Sequence, residues 1–188
     1  MTAGPALPFF TVGHSNRSIE AFIVLLHAAG VERIVDVRKM PMSRANPQFN
    51  EGALAEALAA SQISYTHMPA LGGLRGKAQS LPADINGFWE NRSFHNYADY
   101  ALSAPFQDGL QRLIEEGRQW RCAVMCSEAV WWRCHRRLIA DQLIARGETV
   151  FHIMGPDRLE PARLTPGAIP HSDGSVTYPA GGTDRSIP

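Results

Sequence analysis

The chain has 188 residues, of which 45% are hydrophobic and 19% are charged. This size and composition predict one folded domain with a substantial core and exclude a largely disordered chain. Lys and Arg number 18 together, as do Asp and Glu. This balance argues against nucleic acid as a partner, because a non-specific binder needs a strongly positive surface.

The sequence also predicts the cellular location of the protein. Residues 1–8 lack the basic start and apolar core of a signal peptide, and no apolar run approaches the ~20 residues needed to span a membrane. The three cysteines, Cys122, Cys126 and Cys134, are too few for a disulfide framework. We therefore expect a cytoplasmic protein with reduced thiols and no membrane partner. The composition is compatible with a homodimer.

The first third of the chain alternates short apolar runs with amphipathic segments. Residues 9–13 (FFTVG) form the first predicted strand, and a helix capped by Ser18 runs to about residue 29. Gly30 ends this helix, as glycine commonly does. A strand at 31–37, an Ala-rich helix at 51–60 and a strand at 63–67 follow.

The rest of the chain continues the same alternation after a break. Residues 68–90 contain Gly72, Gly73 and Gly76 and predict a long, partly mobile loop. The elements predicted beyond it are helices at about 93–103 and 105–117, a strand at 121–125, a helix at 134–146 and a strand at 149–153.

Five strands that alternate with helices predict an α/β fold with a mostly parallel sheet and right-handed crossovers. We assign residues 1–153 to this α/β domain. Residues 154–188 are rich in Pro and Gly, and Asp173-Gly174 predicts the turn of a small β-hairpin. We expect this hairpin and the tail after it to pack on the same domain.

Residues that can bind an anion or transfer a proton follow the predicted strands. In open parallel sheets, ligands bind beyond the carboxyl ends of the strands. The first strand is followed by Gly13, His14 and Ser15, whose helix-start N–H groups could bind an anion while His14 acts as acid or base. The alternative for this segment is a plain capping turn.

The second strand leads to Asp36, Arg38, Ser43 and Arg44. Alternation along a strand places Asp36 and Arg38 on the same side. They predict either a structural ion pair or an anion-binding Arg38 oriented by Asp36. Ser43 and Arg44 are further candidates for binding the anion.

The fourth strand is followed by VMCSEAVWWRCHRR, residues 124–137, the densest group of reactive residues. Cys126 lies at a strand end near arginines, which lower a thiol pKa, and Glu128 could act as base or nucleophile. His135 is a second candidate acid or base, and Arg136 a candidate anion ligand. The alternative for Cys126 is a buried structural thiol.

The spacing of these ligand types disfavours a metal. Cys126 and Cys134 are eight residues apart, and His135 points about 100° away from Cys134 if both are helical. We expect no metal and no cofactor.

These stretches resemble the domain of unknown function 488 family. The similarity covers about residues 10–153, and its ordered motifs are GHS, DVR-x-x-P-x-SR, LGG and MC-x-E-x7-HR. The resemblance implies a Rossmann-like three-layer fold and implies no activity. It carries over as motif positions Gly13, His14, Ser15, Asp36, Arg38, Ser43, Arg44, Gly72, Gly73, Cys126, Glu128, Cys134, His135 and Arg136.

Several functions remain open from the sequence. The first is an enzyme that acts on a small phosphate-bearing or nucleotide-like anion. The second is a sulfur- or phosphate-transfer enzyme with a Cys nucleophile, similar to rhodaneses and to phosphatases whose nucleophilic cysteine has a low pKa. Those phosphatases have C-x5-R spacing, whereas Cys126 and Arg133 have C-x6-R spacing. The third is a redox-sensing or anion-binding regulatory module, in which Cys126 and Cys134 form a reversible disulfide.

Overall fold

The computed structural model describes residues 6–181, which form a mixed α/β fold. The strands of the main sheet are β1 (Phe9–Gly13), β2 (Arg33–Asp36), β3 (Ser64–His67), β4 (Cys122–Cys126), β5 (Val150–Gly155) and β6 (Arg158–Pro161). The helices are α1 (Ile19–Ala28), α2 (Glu51–Ala60), α3 (Arg92–Ala101), α4 (Ala104–Gly117) and α5 (Arg136–Ile144). A hairpin of β7 (Ile169–Pro170) and β8 (Val176–Thr177) follows.

The six-stranded sheet has the order β3-β2-β4-β1-β5-β6, and its pairs are parallel except for β5 with β6. The predicted mostly parallel α/β fold is therefore confirmed, as is the predicted C-terminal hairpin. β6 was not predicted, because its sequence RLEP is short, charged and largely exposed. It pairs along the outer edge of β5.

Alternating side chains of the sheet divide the core in two. Phe10, Val12 and Ile34 pack with α1 and α2 on one face, whereas Phe9 and Val124 pack with α3, α4 and α5 on the other. Burial of apolar side chains at roughly 25 cal/mol per Å² is the main force that fixes both layers. This three-layer packing gives β1, β2 and β4 rigid positions.

The chain changes direction at β4. The segments after β1 and β2 pass to the α1–α2 face, whereas the segment after β4 passes to α5 on the opposite face. Such a point of divergence opens a crevice beyond the carboxyl ends of parallel strands. The fold therefore places a crevice at Gly13 and Cys126, the paired ends of β1 and β4.

Candidate functional site

A cavity of ≈ 730 Å³ occupies this crevice. Its boundary comes from the segments after β1, β2 and β4, the 72–74 loop and the start of α3. The lining residues are His14, Ser15, Arg38, Lys39, Met40, Met42, Ser43, Asn46, Gly73, Leu74, Asn91, Ser93, Phe94, Tyr97, Cys126, Ser127, Glu128, Arg133, Cys134 and His135.

Most of the candidates from the sequence meet here. Those that line the cavity are His14, Ser15, Arg38, Ser43, Cys126, Glu128 and His135. Three more contact the lining from behind, namely Gly13, Asp36 and Arg136. Arg44 is exposed and does not line the cavity.

The cavity floor contains a pair of thiols in contact with a buried guanidinium. Cys126 Sγ and Cys134 Sγ lie 2.6 Å apart, and both cysteines are free and buried. Arg136 Nε donates to Cys126 Sγ at 3.0 Å and to Cys134 Sγ at 3.4 Å. The pair arises because residues 131–133 form a 3-10 turn and Cys134 has extended backbone angles, φ −125° and ψ 146°.

Burial and hydrogen bonding affect the two thiols in opposite ways. Burial and the hydrogen bond with Cys134 raise the pKa of Cys126. Burial opposes ionisation of Cys134 as well, but the hydrogen bonds from Cys126 and His135 and the Arg136 charge lower its pKa well below the usual value. His135 Nδ1 lies 3.6 Å from Cys134 Sγ, a contact that Cys126 lacks. These contacts therefore favour ionisation of Cys134 over ionisation of Cys126.

Arg136 is held by two further groups. Its Nη2 donates to the Glu128 carbonyl oxygen at 2.6 Å and its Nη1 to Thr11 Oγ1 at 3.4 Å. Thr11 Oγ1 also lies 2.7 Å from His152 Nδ1, and the Trp131 ring stacks on His152 with centroids 4.4 Å apart. Burial and the Arg136 charge lower the pKa of His152 to about 4, so this layer behind Arg136 is neutral.

Gly13 makes this arrangement possible. A Cβ at this position would lie 1.7 Å from the Glu128 carbonyl oxygen and 2.9 Å from Arg136 Nη2. Any side chain would therefore displace the carbonyl that holds Arg136. The same close approach explains why the His14 and Ser15 N–H groups donate to the Cys126 and Ser127 carbonyls, which leaves neither group available to an anion.

His14, Asp36 and Arg38 form a second buried cluster. Arg38 contacts Asp36 through both Nε and Nη2, with Nη2 to Oδ2 at 2.6 Å, and Nη1 lies 3.3 Å from His14 Nε2. His14 Nδ1 donates to the Ser15 carbonyl oxygen at 2.7 Å, so its Nε2 lone pair is the acceptor for Arg38. Burial lowers the pKa of His14 to about 4, which keeps it neutral. The predicted ion pair is present, and its Arg38 guanidinium borders the cavity.

Charged groups without partners lie nearer the opening. Lys39, Arg133 and Glu128 are exposed, and within residues 6–181 their side chains make no hydrogen bond or ion pair. His135 differs, because its Nε2 atom is buried without a hydrogen-bond partner in the same residues. Lys39, Arg133 and Glu128 can therefore contact a bound molecule without first breaking an internal bond.

The α3 side of the cavity was missed from the sequence. Asn91, Ser93, Phe94 and Tyr97 line it, but no strand directly precedes α3, so the strand-end rule could not select them. Asn91 had a usable signal as an N-cap, since its side chain accepts from Ser93 N–H and Phe94 N–H. Tyr97 packs against the His135 ring with centroids 5.0 Å apart.

Two features are absent from residues 6–181. No group of three or more His, Cys, Asp or Glu side chains in this range is arranged to hold a metal ion. No helix in this part of the chain combines the length and apolar character needed to cross a membrane.

Comparison with known proteins extends the motif evidence. The sequence model of the family described as Domain of unknown function DUF488 matches residues 18–143, more than half of the chain. The chain belongs to this DUF488 family. No curated protein and no solved structure matches the chain. The DUF488 match spans β2, β4 and most of α5 and hence the Cys126, Cys134 and Arg136 cluster.

Proposed function

We propose that the protein is an enzyme that uses the Cys134 thiolate as a nucleophile on a small phosphate-bearing anion. The observation on which this proposal rests is the burial of Arg136 against two sulfurs and no carboxylate. The alternative, a redox-sensing module, is favoured by a different observation and is considered below.

Arg136 supports the thiolate through charge balance. Its side chain is 1% exposed, and its partners within residues 6–181 are the two sulfurs, Thr11 Oγ1 and the Glu128 carbonyl oxygen. A guanidinium does not lose its proton in a protein, and an unpaired buried charge costs several kcal/mol. A thiolate is the one anion that this set of partners can provide. The proposed nucleophile, the Cys134 sulfur, is therefore negatively charged before substrate binds.

The cavity provides the other groups that covalent catalysis needs. Lys39 and Arg133 offer positive charge at the opening, and Glu128 is exposed to exchange a proton with the substrate. In the proposed reaction, Cys134 Sγ attacks phosphorus, the bond from phosphorus to the leaving oxygen breaks, and that oxygen takes a proton from the Glu128 carboxyl group. Glu128 then takes a proton back from water, which cleaves the sulfur–phosphorus bond, releases phosphate and restores the thiolate.

The thiolate is tested by the pH dependence of alkylation. Iodoacetamide should modify Cys134 with a midpoint well below about 8.5, the usual thiol pKa, because Arg136 and His135 favour the ionised form. Arg136→Gln should raise this midpoint, with far-UV circular dichroism to verify folding. Cys122→Ser is the matched control, since burial raises the pKa of that remote thiol to about 12. An ordinary midpoint for Cys134 in the folded protein would exclude the proposal.

Measurement of turnover tests separately whether the Cys134 thiolate catalyses a reaction. Release of inorganic phosphate from a panel of phosphate monoesters should fall at least about a hundredfold in Cys134→Ser and stay at the wild-type rate in Cys122→Ser. Glu128→Gln should keep the fold and remove turnover, because it can no longer exchange a proton. Full turnover in Cys134→Ser would assign the reaction to another group.

The redox-sensing alternative has one observation in its favour, the 2.6 Å separation of the two sulfurs. A disulfide, with a bond of about 2.05 Å, would need little movement. It would also remove the anion that balances Arg136, and stabilisation of the reduced form makes a couple more oxidising. The resting state should then be the reduced pair, a thiol next to a thiolate. Equilibration with a predominantly reduced glutathione buffer should leave three free thiols; a reversible loss of two of them in that buffer would favour the sensor.

A further inference from the structure

The opening of the cavity has an apolar rim made of Met40, Met42 and Leu74. These side chains are 71%, 73% and 80% exposed, the three highest values among the large exposed hydrophobic residues of the described chain. Val24, on α1, is next at 55%. All three rim residues line the same cavity. Exposed apolar groups that converge on one opening mark a binding surface more often than scattered ones do.

The backbone holds the rim in place. On the β2 side, Pro41 is buried and its carbonyl accepts from Glu51 N–H at 2.9 Å, while Ser43 N–H donates to Asn50 Oδ1 at 2.6 Å. The two methionines therefore project from a fixed turn. Their unbranched side chains adapt to the shape of a bound group.

Leu74 is presented in an unusual backbone conformation. Its φ is 57°, in the left-handed region that a leucine seldom adopts. The loop is fixed there by Arg75, which donates to the Gly72 and Pro69 carbonyls and stacks over the Tyr100 ring at 3.9 Å. Leu74 therefore combines a strained backbone with a side chain that is 80% exposed, and such strain is typical of ligand-binding positions.

Positive charge lies next to the rim. Lys39 directly precedes Met40, and Arg133 lines the same cavity, so a molecule between the rim and the thiols meets both apolar and cationic groups. An inorganic anion alone would leave the rim exposed to water. An anion with an apolar ring or chain would cover the rim while its charged end reached the thiols.

We infer that the site binds an amphipathic anion, an aryl phosphate or a close analogue, with its apolar group on Met40, Met42 and Leu74. This inference rests on the proposed function and adds the class of substrate. It predicts a preference for aromatic over methyl phosphates, because the ring removes apolar surface from water.

The test compares two phosphonates that cannot be hydrolysed. Protection of Cys134 from iodoacetamide should be about tenfold stronger with phenylphosphonate than with methylphosphonate. Leu74→Asn and Met42→Gln should reduce this ratio towards one, since Asn tolerates the left-handed backbone and Gln matches the length of Met. Val24→Thr is the control for an exposed apolar residue elsewhere and should keep the ratio.

The outcomes separate the two proposals. Equal protection by both phosphonates would overturn the amphipathic substrate and leave the thiolate enzyme standing. Protection by neither at millimolar concentration would overturn the amphipathic substrate and the anionic substrate of the proposed function together. A ratio that survives both rim substitutions would place the aromatic group elsewhere and overturn the inference.

Discussion

Arg136 links the chemistry of the site to the packing of the sheet. Its guanidinium contacts the two sulfurs on one side and the Glu128 carbonyl and Thr11 on the other. The sequence predicts Arg136 as an anion ligand, and in the structure it contacts the protein's own thiols. A sequence pattern could not show this, because the contact depends on Cys134 lying outside α5.

Gly13→Ala tests whether the close approach of β1 to Glu128 maintains this arrangement. An added Cβ would lie 1.7 Å from the Glu128 carbonyl oxygen, so the loop must move. We expect the free energy of unfolding in urea to fall by about 1–3 kcal/mol, as for other overpacked sites. The midpoint of Cys134 alkylation should also rise, because Arg136 loses its anchor.

Gly52→Ala is the matched control for this substitution. Gly52 lies in α2, and apart from its chain neighbours and its own helix backbone, no atom of residues 6–181 lies within 4 Å of the place that an added Cβ would occupy. Alanine in a helix is favoured by roughly 1 kcal/mol over glycine, so this variant should be at least as stable as wild type. Equal stability of the Gly13 and Gly52 variants would show that the loop accommodates the methyl group.

The sequence predicts the bounds of helices and strands well where the apolar pattern is strong. β1 and α2 have the predicted bounds, 9–13 and 51–60, because each has an uninterrupted apolar pattern. α5 begins at Arg136 rather than at the predicted residue 134, because the chain first makes a 3-10 turn. Cys134 lies at the end of this turn and outside α5, and its sulfur lies 2.6 Å from that of Cys126.

Contacts that join distant elements were the least predictable. The strand-end rule located the segments after β1, β2 and β4, but the contribution of α3 depends on the path of the 68–90 segment. Asp141 on α5 is another example, since it accepts from Thr165 N–H and from the Tyr178 hydroxyl group. No periodic pattern relates residues 24 and 37 positions apart. These contacts attach the C-terminal segment to α5.

The molecule buries titratable groups in the sheet and in α5. Burial lowers the pKa of His152 to about 4, and burial raises the pKa of Asp141 to about 6. Relative to the unfolded chain, folding therefore favours the neutral forms of both groups. Their effects on stability have opposite signs as the pH falls, because one group is a base and the other an acid.

The pH dependence of stability follows from these shifts. A histidine in the unfolded chain is protonated below about pH 6.5. In the folded protein, His14 and His152 stay unprotonated down to about pH 4, which is the pKa of each. Their contribution is complete above pH 6.5 and is lost as the pH falls towards 4. Asp141 binds its proton in the folded state from about pH 6, before the unfolded chain does, and so offsets part of the loss.

We expect the free energy of unfolding, measured in urea, to fall by on the order of 2–3 kcal/mol between about pH 7 and pH 5. His152→Gln removes one of the two histidine contributions. The free energy of unfolding of this variant should therefore fall less than that of wild type over the same pH range, whatever its value at neutral pH. Asp141→Asn removes the compensating proton uptake, so its fall should be larger. These opposite changes in slope distinguish specific linkage from general acid sensitivity, which would give the three proteins the same slope. Identical slopes would therefore mean that neither buried group keeps its shifted pKa in solution.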